Sequence, residues 1–363
     1  MGIRLVATVT ATSLLALTTA GVATADAAGV GRDAVQQALD QVTRSGGALG
    51  VQARVTDGRQ RFAARSGKAD LDSGRPVPLD GRFRVGSITK TFVATVLLQL
   101  SGEGRLDLDA PVVRYLPGLV DGRITVRQVM QHTSGLYNYT RDLPGSPDEF
   151  DEIRYRTWTP QELLAMSTSK PLDFDPGTKW SYSNTNYVVA GLLVEKLTGG
   201  PYARAVEQRI LKPLRLRGTE VPGTKPDITG PHARAYWTVS GQPSEITRLN
   251  PSIAYAAGEM ISTTEDLDTF VTALASGKLL KPAQQAELTR TTAVSPGYGL
   301  GLQVETLPCG TKVWGHGGGI PGYSSQLLTT PDTKKRLELN ATSAPVEGDP
   351  GDAFDKLLTA VFC

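Results

Sequence analysis

Apolar residues along this chain recur at two spacings, and the switches between them divide it into three stretches. Val35, Ala38, Leu39 and Val42 fall on one face of a helical repeat, with Asp33 placed to cap its start and Gly46-Gly47 to stop it. Alternation follows. Val51, Ala53 and Val55, a turn at Asp57-Gly58, and the return through Phe62 and Ala64 predict a β-hairpin. From about Ser87 to Lys212 the spacing is mostly helical, first in Ile88, Phe92, Val93, Val96, Leu97 and Leu100. It recurs in Val188, Val189, Leu192, Leu193 and Leu197, stopped by Gly199-Gly200. Thr125 with Gln128 and Thr159 with Glu162 have capping-box spacing, the second with Pro160 at the first helical position. Strand patterns resume at 312–316, 322–330 and 336–342, the last two joined by a Pro331-Asp332 turn. Phe354, Leu357, Leu358, Val361 and Phe362 then predict a closing helix. The fold class expected is α+β: the two ends of the chain share one antiparallel sheet flanked by helices, around an inserted all-helical lobe. Residues 28–86 with 230–363 are expected to form a discontinuous α/β lobe and 87–229 a mainly helical one, with a site in the cleft between them.

Composition adds a compartment and removes some chemistries. Arg4, an apolar run over 5–17 and small residues at Ala23-Thr24-Ala25 or Ala25-Asp26-Ala27 predict a secretory signal peptide over 1–27. A membrane anchor is the alternative, but Thr8, Thr10, Thr12, Ser13, Thr18 and Thr19 interrupt the run and no second apolar span follows. The expected product is secreted, has no transmembrane anchor after processing, and is a monomer. Basic and acidic residues number 38 and 36, a net charge of +2, which argues against a nucleic-acid-binding surface. Cys309 and Cys363 are the two cysteines, and an exported chain with an even number favours a disulfide over two free thiols. Three histidines and two distant cysteines offer no zinc-ligand spacing, so no metal is expected. No dinucleotide fingerprint or P-loop occurs, and no cofactor is implied. Gly322-Tyr323-Ser324-Ser325-Gln326 lacks the last glycine of a nucleophile elbow.

The chemistry begins at Ser87-Ile88-Thr89-Lys90, where a hydroxyl and an amine stand one helical turn apart on the face away from the apolar stripe. A helix start also supplies backbone N–H groups suited to a developing oxyanion. By itself Ser-x-x-Lys is a common N-cap with a solvated lysine. Two further motifs follow in order, Tyr182-Ser183-Asn184 before a helix and His316-Gly317-Gly318-Gly319 between strand patterns. Together the three resemble the serine β-lactamase and D-alanyl-D-alanine carboxypeptidase superfamily, and look closest to its secreted actinobacterial D,D-carboxypeptidases related to class C β-lactamases. Gln131-His132-Thr133-Ser134-Gly135-Leu136, Pro176-Gly177, Lys212-Pro213-Leu214, Ala256-Ala257-Gly258 and Tyr298-Gly299-Leu300-Gly301 extend the likeness over the whole mature chain.

The resemblance implies a β-lactamase/transpeptidase-like fold and an acyl-enzyme mechanism. Ser87 is the nucleophile, and Lys90 or Tyr182 is the base that activates it. Asn184 holds Lys90 and meets the substrate, although a plain helix cap is its simpler role. His316 offers a donor from the strand facing Ser87, and the N–H groups of Ser87 and Gly319 form the oxyanion hole. Gly317, Gly318, Gln303 and Trp237 are candidate substrate contacts, with lobe or core packing the simpler account of Trp237. His132 is read as a structural element and His232 as a surface or packing residue. The expected activity is a D-alanyl-D-alanine carboxypeptidase acting on peptidoglycan stem peptides and acylated by penicillins. A β-lactamase, an esterase or amidase of the same fold, and a non-catalytic cell-wall or β-lactam-binding protein are the alternatives. One departure bears on that choice. Gly317 stands where the carboxypeptidases commonly carry a threonine, and Gln303-Val304-Glu305 stands where some carry an arginine, so a clamp for a free carboxylate is missing.

Overall fold

The amphipathic first helix, α1 (Arg32–Arg44), begins two residues earlier than a cap at Asp33 implies. Gly31 occupies the N-cap and Asp33 lies inside the first turn, where a carboxylate favours the helix dipole without capping it. The computed structural model describes residues 31–345 and 348–363, so the predicted signal peptide falls outside the described residues. Strands β1 (Gly50–Asp57) and β2 (Gln60–Gly67) form the expected hairpin. Helices α2 (Thr89–Gly102) and α3 (Thr185–Thr198) follow, the latter closed by Gly199 at φ +74°. Both capping boxes are formed. After α4 (Thr264–Ala275) come β3 (Gln303–Thr306), β4 (Lys312–Ile320), β5 (Tyr323–Thr329), β6 (Lys335–Thr342) and α5 (Ala353–Phe362).

Six strands form one antiparallel sheet in the order β2-β1-β6-β5-β4-β3, so the N-terminal hairpin pairs with the last strand as the pattern predicts. β4 runs four residues past the expected end at His316. Gly317, Gly318 and Gly319 pair with Gln326, Ser325 and Ser324, and glycines carry no alternation by which a strand could be read.

Val51, Ala53 and Val55 of β1 meet Val35 and Leu39 of α1 and Leu357 and Val361 of α5 in one apolar cluster. The intervening residues face α4 and are polar. There Asp268 accepts from Arg336 Nε at 2.6 Å and pairs with Arg61. Glu338 is fully buried on that face, and burial pushes its carboxyl up to about 8 against the pull of Arg336, Arg54 and Arg61. α2 departs from the pattern more sharply. Its polar stripe is also enclosed, with Thr91, Thr95 and Lys90 buried beside Phe92, Val93 and Leu97, because α3 and neighbouring segments surround it. Cys309 and Cys363 are joined in a disulfide with Cα atoms 5.9 Å apart. Among the described residues no helix is long and apolar enough to cross a membrane, and no His/Cys/Asp/Glu group is arranged to hold a metal ion.

Candidate active site

Ser87 sits in a single 3₁₀ turn, Gly86–Ile88, with the α-helix proper starting at Thr89. Gly86 takes φ +52°, and a Cβ there would come within 2.7 Å of Gly319 N. A Cβ on Gly318 would come within 1.9 Å of the Val85 carbonyl. Glycine is therefore required at 318, where β4 crosses this turn, and at 86 on the turn itself. β3 pairs with 312–315 alone, leaving the 316–320 edge to meet the Ser87 turn. Around Gly319 the added-Cβ position is open to 4 Å, so its outer face is available to a substrate.

Lys90 is the centre of the polar cluster and is fully buried. Its Nζ lies 3.0 Å from Ser87 Oγ, 2.8 Å from Asn184 Oδ1 and 2.7 Å from the Ala257 carbonyl oxygen. Asn184 occupies the N-cap of α3, yet its side chain makes no capping hydrogen bond and reaches Lys90 instead. Burial holds the Lys90 amine well below the ordinary lysine range. A neutral amine has two N–H donors and one lone pair. The two carbonyl oxygens, which only accept, take the donors, and the lone pair is left for the Ser87 hydroxyl. Tyr182 hydrogen-bonds Ser87, with Lys90 Nζ 4.9 Å from its ring centre. Burial pushes its phenol up, and the Ser87 bond only partly offsets this. Burial thus shifts the balance from ammonium and phenolate toward amine and phenol in this enclosure.

His316 is buried, its ring centre 6.2 Å from that of Tyr182. Its Nδ1 faces the Gly317 carbonyl, which can only accept, so that nitrogen carries the proton. Nε2 then accepts from Tyr298 Oη at 2.9 Å. Both nitrogens are engaged, and burial, followed by the nearby Lys90, pushes the imidazole down to about 3. Gln303 Oε1 accepts from Gly317 N at 3.4 Å and so reaches the same strand edge. Trp237 lies on a separate two-stranded hairpin and packs edge to face on Phe150 at 5.6 Å.

Three groups at the site were not singled out as functional from the sequence. They are Tyr298, the Ala257 carbonyl, and Trp180, which is 41% exposed with its ring centre 6.1 Å from that of Tyr298. The Tyr298-Gly299-Leu300-Gly301 and Ala256-Ala257-Gly258 segments marked two of them, but a backbone carbonyl carries no signature in a sequence.

A protein-family model described as Beta-lactamase matches residues 33–360. A solved D-stereospecific amidohydrolase from Streptomyces sp. superimposes with a TM-score of 0.84 and 47% identity, over 92% of this chain and 99% of that one. The D-amino acid amidase from Ochrobactrum anthropi SV3, solved with D-phenylalanine, gives 0.78 and 30%, over 90% and 98%. Penicillin-binding protein 4* of Bacillus subtilis is 27% identical over 75% of this chain, which spans 63% of that protein's length.

Proposed function

The chain belongs to the Beta-lactamase family of serine hydrolases, and from that premise we propose that it is a secreted amidohydrolase selective for D-configured acyl donors. The observation that carries the reading is its 47% identity, over 92% of its length, with a D-stereospecific amidohydrolase. The missing carboxylate clamp supports the same choice. Gly317 has no hydroxyl, and Gln303, an amide, stands at that edge, so a substrate with a neutral leaving part suffers no loss there. Export rests on the leader pattern over 1–27 and on the Cys309–Cys363 disulfide, which suits an oxidising compartment.

In this mechanism the Ser87 proton passes to the Lys90 lone pair as Oγ attacks the acyl carbon. The carbonyl oxygen takes the negative charge between the N–H groups of Ser87 and Gly319. On collapse the C–N bond breaks, and Tyr182 gives its phenolic proton to the departing nitrogen while regaining one from the Lys90 ammonium. Water then adds to the acyl ester as Lys90 again takes a proton, and the C–O bond to Ser87 breaks as Oγ takes that proton back from Lys90. Asn184 and Ala257 keep the amine aimed throughout.

The test compares kcat/KM for D-phenylalanine amide, L-phenylalanine amide and an N-acyl-D-Ala-D-Ala peptide. The reading expects the D-amide to be turned over, with the L-form slower by about two orders of magnitude. Preferred release of D-alanine from the peptide would replace it with the D,D-carboxypeptidase reading, which the penicillin-binding relative favours. Intact mass after penicillin treatment of wild type and Ser87→Ala is the companion measurement: an adduct on wild type alone identifies the nucleophile.

A further inference from the structure

His132 is completely buried directly behind Tyr182, and it holds the chain on both sides of that residue. Its carbonyl oxygen accepts from Ser181 N at 3.0 Å, and its Nδ1 accepts from Ser183 N at 3.3 Å. Asn186 adds a second donor to Nδ1 at 3.1 Å. The Asn186 orientation is fixed, because its Oδ1 accepts from Ser134 Oγ at 2.6 Å. The imidazole lies against the Tyr182 ring with centroids 4.3 Å apart, and its other side meets Tyr298 edge-on at 4.8 Å. With two N–H groups aimed at Nδ1, the ring proton belongs on Nε2, which is buried without a hydrogen-bond partner. An unpartnered N–H in this position is a cost that packing alone does not call for, since an apolar ring would fill the same space. The backbone is unusual as well: His132 takes φ +61°, a left-handed conformation that asparagine and histidine tolerate better than most residues.

We infer that His132 is a positioning residue for proton delivery: by fixing residues 181, 183 and 186 and backing the Tyr182 ring, it sets the phenol where the leaving nitrogen departs. The inference rests on Tyr182 acting as the leaving-group donor. It makes a prediction that a merely stabilising histidine does not. An amide needs its nitrogen protonated as it leaves, whereas a p-nitrophenyl ester expels a stable anion. Loss of phenol alignment therefore separates the two substrates.

The experiment measures kcat and KM for D-phenylalanine amide and the p-nitrophenyl ester of the same acyl group, in wild type, Tyr182→Phe, His132→Phe and His132→Asn. His132→Phe keeps a ring and removes the acceptor. His132→Asn keeps an acceptor near Nδ1 and suits the positive φ. Tyr182→Phe is expected to lower amide kcat by about 100-fold with a much smaller effect on the ester. His132→Phe should show the same split, and His132→Asn a weaker one. Parallel loss on both substrates in either His132 variant, or amide turnover unchanged, overturns the inference. If His132→Phe does not fold, the ratio in His132→Asn decides alone. Absence of a split in Tyr182→Phe itself instead removes the donor role on which the inference rests.

Discussion

At the scale of single residues the site turns on one buried amine. Because burial lowers the Lys90 pKa, the amine is neutral above that lowered value and becomes protonated as pH falls through it. A mechanism that uses its lone pair must lose kcat/KM on the acid side, with the limb well below the ordinary lysine range. Loss of kcat/KM on the alkaline side, as the amine gives up its proton, would show that it works as a cation instead. Removing Asn184 Oδ1 in Asn184→Ala frees one Lys90 N–H, and we expect kcat to fall about tenfold, the worth of one hydrogen bond, with KM little changed. At this scale the sequence was informative wherever side chains at fixed spacing converge, as Ser87, Lys90, Tyr182 and Asn184 do. It was silent on the Ala257 carbonyl. It also could not tell that both nitrogens of His316 are engaged, by the Tyr298 hydroxyl and the Gly317 carbonyl.

Among the elements, β4 shows why glycine runs mislead a pattern reading and still constrain the fold. Gly318→Ala would drive a methyl into the Val85 carbonyl and Ser325 Oγ, parting the strand from the Ser87 turn. Overpacking of this kind costs about 1–3 kcal/mol, visible as a lower Tm together with loss of activity. Gly319→Ala meets nothing within 4 Å and should keep the wild-type Tm, so an equal loss of stability in both would contradict this geometry. β6 carries the other element-scale prediction. Folded Glu338 keeps its proton up to about pH 8, while the unfolded chain sheds it near its ordinary 4.5. The folded state thus binds more protons across that interval, and stability falls as pH rises through it. Glu338→Gln should remove that decline, raising Tm relative to wild type at about pH 9 and leaving it nearly unchanged at about pH 4.5. Alternation in β1 and β6 announced these strands clearly, but the burial of their second, polar face depends on α4, whose arrival no local pattern announces.

For the whole molecule, hydrophobic spacing was enough to pair the two ends of the chain in one sheet and to leave the helices between them. What it could not supply was enclosure: α2 reads as a surface helix and is an interior one, because a single-element pattern records only the face it must bury. The disulfide acts at this scale. Its closed loop of 54 residues in sequence separation predicts about 4 kcal/mol of lost unfolding free energy in Cys363→Ser, measured by denaturant unfolding, with kcat/KM preserved.

The sheet order also sets a timetable. β1 has β2 for a neighbour as soon as the hairpin is made, but its other edge waits for residues 335–342. During synthesis nearly the entire chain must emerge before that edge is covered, and closing so distant a contact is slow. Until then the backbone N–H and C=O groups along that edge of β1 stay open to solvent and to other chains. A newly made molecule therefore carries one unpaired strand edge until residues 335–342 arrive, and a delay at that stage gives the edge time to pair with the wrong strand.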